Sequence, residues 1–206
     1  MITIKYSKLG GAEFIPHLDT MRHFQKTIRR MDIPINYSKG FNPHMLIYMS
    51  APIPLGLKSE SEFCVFDTDY KGEDFIEKFN LNSLKGIRCK ECYFTDFKPN
   101  VAADITSAVY EIIGINPFDV NDILNCSEFL VFDKRKGLEI NSREKIKELY
   151  FEGDKLYARL DFGNVTLRPD YLINKLVELY GGNHPYAIKK ESLFLNGVKA
   201  KDYFNK

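Results

Sequence analysis

No apolar run in this chain approaches the roughly twenty residues needed to cross a bilayer as a helix. The opening Met1-Ile2-Thr3-Ile4-Lys5-Tyr6 lacks the charged and apolar regions of a secretory signal. Four cysteines among 206 residues are too few for a disulfide scaffold. These absences predict a cytoplasmic protein with reduced thiols and no membrane partner. Recognisable site motifs are also missing. There is no HExxH, no paired CxxC, no GxGxxG and no P-loop, and Gly10-Gly11 and Gly181-Gly182 read as turns. Cys89-Lys90-Glu91-Cys92 is a lone CxxC inside a predicted strand. A zinc site would need two more ligands from Cys64, Cys126 or His184, none suitably spaced, and a redox pair should open a helix. No metal and no cofactor is therefore expected.

What is present is an ordinary globular composition, 44% hydrophobic and 28% charged, with an uneven charge distribution. Residues 1–50 hold seven Lys/Arg against three Asp/Glu, a charge of +4, so the remainder carries −3 of the net +1. A basic end on a nearly neutral chain suggests a local anionic partner such as RNA.

Periodicity sets the element order. Ile2, Ile4 and Tyr6 alternate with Thr3, Lys5 and Ser7, predicting a half-buried strand. Pro16 opens a helix over His17 to Met31, with Leu18, Met21, Phe24, Gln25, Ile28 and Met31 on one arc. Arg22, Lys26, Arg29 and Arg30 share the opposite arc, and Pro34 ends the helix. Met45 to Met49 is apolar on both faces, as in a central strand, and the loop Pro52 to Ser61 should be irregular. A strand at Phe63 to Phe66, a helix carrying Phe75, Ile76 and Phe79, and an extended Ile87 to Phe97 complete a β-α-β-β-α-β order.

A joint is expected near Lys98 to Ala102, after which the order recurs. Strands are predicted at Ile105 to Ile113, Phe129 to Asp133, Ile146 to Phe151, Leu156 to Phe162 and Ile188 to Leu195. One helix is capped by Asn116-Pro117, and another is opened by Pro169. The fold class is α+β: two tandem ferredoxin-like (βαββαβ) halves with antiparallel sheets, residues 1–97 and 103–206. The expected core includes Ile4, Met21, Phe24, Ile28, Leu46, Tyr48, Val65, Phe79, Val109, Leu160 and Leu176.

Two features carry chemistry. The cations Arg22, Lys26, Arg29 and Arg30, with Lys39 just beyond, suit phosphates, because each contact releases a condensed counterion. The loop Tyr37-Ser38-Lys39-Gly40-Phe41-Asn42-Pro43-His44 gathers aromatic, amide and imidazole groups around Gly40 and Pro43, with Tyr37, Phe41, Asn42 and His44 as recognition residues. The bland alternatives are a solvated helix face and a structural turn. A catalytic alternative pairs His17 with His44 as acid and base on an RNA 2′-hydroxyl. Asp19, His23 and His17 do not form a metal-binding face.

Three segments carry a family resemblance: Phe14-Ile15-Pro16-His17-Leu18-Asp19-Thr20-Met21-Arg22, then Tyr37 to His44, then Pro52-Ile53-Pro54-Leu55-Gly56 with Ser59-Glu60-Ser61-Glu62. Together with Leu167-Arg168-Pro169-Asp170, they resemble the radical-SAM-linked protein family, domains fused to or encoded beside a radical SAM protein. The resemblance implies a radical SAM protein as partner and an RNA or ribosome-related setting, but no assigned reaction. The CxxxCxxC of radical SAM enzymes is absent from this chain. A looser resemblance, in architecture alone, is to the tandem ferredoxin-like CRISPR RNA endonucleases, whose glycine-rich C-terminal loop is missing. The combined expectation is an accessory binding module for RNA or a ribonucleoprotein substrate. The alternatives are a metal-independent RNA endonuclease and a protein–protein adaptor.

Overall fold

The computed structural model describes residues 1–204. Strand β1 (Ile2–Lys8) buries all seven of its residues, not alternate ones, because it is paired along both edges and covered on both faces. The helix α1 (His17–Arg30) follows, starting directly after Pro16. Next come β2 (Ile47–Met49), β3 (Lys58–Phe66), α2 (Phe75–Asn82) and β4 (Ile87–Phe94). A short α3 (Val101–Asp104) leads into β5 (Ile105–Ile115), α4 (Asn121–Leu124), β6 (Leu130–Asp133) and β7 (Leu138–Asn141). The chain continues through β8 (Ile146–Glu152), β9 (Lys155–Asp161), α5 (Pro169–Tyr180), β10 (Gly182–Phe194) and α6 (Ala200–Phe204).

The result is a mixed α+β protein with a mostly antiparallel sheet. Among the described residues the strand order is β4-β1-β3-β10-β5-β9-β8, with β2 paired to β3 as an eighth member. Two strand sets expected in separate sheets thus run into one. The seam is parallel and short: Ile188 and Lys189 of β10 lie opposite Lys58 and Ser59 of β3. Strand β3 divides its length between neighbours, because β2 pairs with its other end, at Cys64 to Phe66. It also divides its faces. Phe63 and Val65 join the core built from β5, β9 and α5, whereas Cys64 and Phe66 join the core under α1 and α2.

Several local expectations need correction. β3 starts at Lys58, inside the segment expected to be irregular, because the prolines end at Pro54 and Gly56 (φ +85°) completes the turn. Asn116 does not cap a helix; its side-chain amide donates to the carbonyl of Tyr180 at 3.1 Å, and α4 begins only at Asn121. The apolar run at Met45 yields only three strand residues, Ile47–Met49. Strand β7 was not foreseen: Leu138 and Ile140 alternate with Glu139 and Asn141, but over four residues only, and the strand pairs with β6 in a hairpin outside the main sheet. Of the expected core, Met21, Leu46, Tyr48 and Val109 are half-buried and the rest are buried.

Candidate functional site

The Tyr37–His44 loop is a closed projection. Tyr37 bridges to Met45 at its base. One step further, the Ser38 amide donates to the His44 carbonyl at 2.9 Å, and the Ser38 hydroxyl meets His44 Nδ1 at 2.8 Å. The His44 amide donates back to the Ser38 hydroxyl at 3.1 Å. These bonds hold both ends of the loop while Gly40, at φ +124°, turns the tip. Lys39, Phe41, Asn42 and Pro43 are exposed there, and the Phe41 ring is completely so. A fully exposed phenylalanine on a braced loop is a hydrophobic surface with nothing packed on it.

The basic helix face is less uniform than its spacing implies. Arg22 is paired with Asp19 at 2.8 Å, one turn before it. Arg30 is exposed but engaged, donating to the Asn82 carbonyl at 2.5 Å and the Thr27 hydroxyl at 3.1 Å, which caps the end of α2. Lys26 and Arg29 are exposed and have no ion-pair partner among the described residues. His23, also on α1, is structural: Nε2 sits 2.9 Å from the Ser83 hydroxyl.

His17 and His44 occupy different surroundings. His17 lines a cavity of about 240 Å³ at the start of α1, with Tyr6, Lys8, Thr20, Ser50 and Glu62 among its walls, and His44 is not one of them. Burial, aided by Lys8 and opposed by Glu62, lowers the pKa of His17, so its ring is held neutral. Two of the quoted sequence segments, around His17 and around Ser59 to Glu62, therefore meet at this cavity. Glu62 is buried, and it accepts from the Ser59 hydroxyl at 2.6 Å and from Lys189 at 3.0 Å. Sequence reasoning missed Tyr6, which looked like an ordinary member of an alternating strand, and Lys8, which follows that alternation.

It also missed a second cationic surface. A cleft of about 580 Å³ on the far side of Pro52 and Ile53 is lined by Arg135, Lys136, Lys145 and Arg168, with Tyr110, Phe162 and Tyr171 deeper in. The run Lys134-Arg135-Lys136-Gly137 was the available signal. Cys89 and Cys92 both lie on β4. Burial raises both thiols, Cys92 to about 12, which removes the thiolate that redox chemistry needs. Among the described residues no helix is long and apolar enough to cross a membrane.

No curated protein matches the chain. Its residues 1–172, out of 206, match the family described as "Uncharacterized protein conserved in bacteria (DUF2344)". The chain is therefore a member of the DUF2344 family.

Proposed function

We propose that this protein is a binding module that holds RNA, or the RNA of a ribonucleoprotein, for a partner radical SAM protein. The observation that carries the reading is Phe41, presented bare at the tip of a braced loop between Lys39 and Asn42. An exposed ring flanked by a cation and an amide suits an unpaired base, which stacks on the ring and hydrogen-bonds at its edge. Lys26 and Arg29 supply phosphate contacts without first breaking a protein ion pair. Arg22 joins them by giving up an exposed pair of small worth. In the second cleft Arg168 is held by Asp170, and Arg135, Lys136 and Lys145 remain as further cations for phosphate. The strand orders β4-β1-β3-β2 and β10-β5-β9-β8 each fit the split βαβ arrangement. They support the finer reading of two tandem ferredoxin-like units, with the β6–β7 hairpin inserted in the second.

The test is binding of a fluorescent single-stranded RNA. Phe41→Ala is expected to weaken it by about 1–3 kcal/mol, the scale of one base stacked on an aromatic ring. Replacing Arg22, Lys26 and Arg29 together by Glu is expected to abolish it, and the wild-type logarithmic salt slope should be about −2 to −3 for three phosphates. Unchanged affinity in both variants removes the reading. If RNA does not bind but a protein co-purifies through the loop, the module is an adaptor. If RNA is cut in the presence of chelator, and His17→Ala or His44→Ala stops the cutting, the module is a nuclease.

A further inference from the structure

We propose that the cavity beside the start of α1 is a binding site for a small organic monocarboxylate, held by Lys8, Tyr6 and His17. Three lysines are buried among the described residues. Lys189 has Glu62 at 3.0 Å, and Lys5 has Glu91 at 3.1 Å and Glu191 at 2.9 Å. Lys8, 6% exposed, has no carboxylate at ion-pairing distance and donates only to the carbonyl of Ile15. It alone of the three lines the cavity. Burial lowers the Lys8 pKa even though Glu62 and Glu13 oppose that shift through space, so the ammonium is under-compensated, and an anion in the adjoining space reduces the cost.

Two further donors face the same space. Tyr6 is 3% exposed and its ring packs edge-on against Phe24, yet its hydroxyl has no hydrogen-bond partner among the described residues. The His17 ring nitrogens are likewise without a protein partner. Glu62 compensates Lys8 only in part and from beyond ion-pairing distance, because its carboxylate is held by Lys189 and the Ser59 hydroxyl. Its charge on the wall repels a second negative charge, which favours a carboxylate over a phosphate dianion. Ile15, Pro16, Pro52, Ile53 and Leu55 form the rest of the lining and suit a hydrocarbon body. About 240 Å³ accommodates a small acid but not a nucleotide.

The experiment is calorimetric titration of the full chain with butyrate, benzoate and inorganic phosphate, with His17 followed by NMR. At least one carboxylate is expected to bind saturably and more tightly than phosphate. It should also raise the His17 pKa by placing an anion among the groups that face the ring, Lys8, Glu62 and Tyr6. Lys8→Met should weaken binding by about tenfold or more, the scale of a hydrogen bond to a charged group. The thermal midpoint of that variant should be unchanged or raised, because an unpaired buried charge is gone. Tyr6→Phe keeps the ring packing and should weaken binding several-fold, so it decides the matter if Lys8→Met fails to fold. Absence of saturation by both carboxylates, equal binding by the variants, or tighter binding of phosphate overturns the proposal. No RNA enters this assay, so its outcome is separate from that of the RNA reading.

Discussion

His23 uses its ring to join two helices. Nε2 accepts the Leu84 amide at 3.4 Å and lies 2.9 Å from the Ser83 hydroxyl, which ties α1 to the end of α2. A nitrogen that accepts a backbone N–H carries no proton, so the folded ring is neutral. Burial, then Arg30, then Lys26 lower its pKa below the usual value. The unfolded chain therefore takes up a proton near pH 6.5 that the folded chain refuses, and stability is full above that pH and declines below it. Urea denaturation at about pH 7 and about pH 5 should show this loss. His23→Gln, which keeps an acceptor but cannot titrate, should reduce it, leaving the part due to His17. An identical loss in the variant would place the effect elsewhere. Residue order pointed to His17 and His44 and passed over His23, with no way to assign their roles. Their roles depend on partners such as Ser83 and Lys8, fixed by the fold and not by spacing.

At the scale of elements, α1 was readable because an apolar arc, a basic arc and the stop at Pro34 all agree. Its first turn departs from that arc: Leu18 is exposed, because Pro16, His17 and Thr20 there border the cavity and not the core. The start of β3 was hidden because Lys58 to Glu62 is polar. Ser59, Ser61 and Glu62 are buried there in hydrogen bonds, which apolar periodicity cannot register. The Tyr37–His44 loop could be located from its Gly and Pro, but its closure by one serine could not. Ser38→Ala removes both the hydroxyl contact to His44 Nδ1 and the acceptor for the His44 amide. That amide should then exchange with solvent faster, and RNA affinity should fall a few-fold through a less ordered tip. The loss in global stability should be about 1 kcal/mol or less, because the loop is exposed. Unchanged exchange would show that the Tyr37–Met45 bridge alone closes the loop.

Across the whole molecule, the feature least visible in the sequence is the seam that merges the two strand sets. Only two residue pairs form its backbone register, so side chains must contribute to it. The Ser192 amide donates to the Ser61 hydroxyl at 2.9 Å, and the Ser192 hydroxyl donates to the Ser61 carbonyl at 2.6 Å. Lys5 of β1 reaches Glu191 of β10 at 2.9 Å. Deepest of all, Lys189 meets Glu62 with both side chains almost wholly excluded from water, and the ammonium lies 3.9 Å from the Phe162 ring centre. Burial lowers the Lys189 pKa, and Glu62 opposes that shift. Polar contacts of this kind fix one register where a short apolar seam would allow sliding. Glu62→Gln or Lys189→Met should each destabilise the fold by about 3–5 kcal/mol, because each strands one buried charge. The double variant Glu62→Gln with Lys189→Met should cost less than the two single losses added together, since neither charge remains. Denaturant titration of the four proteins measures the coupling. Strict additivity would mean that the pair does not act as a unit and that the seam is held by its serines and by Lys5.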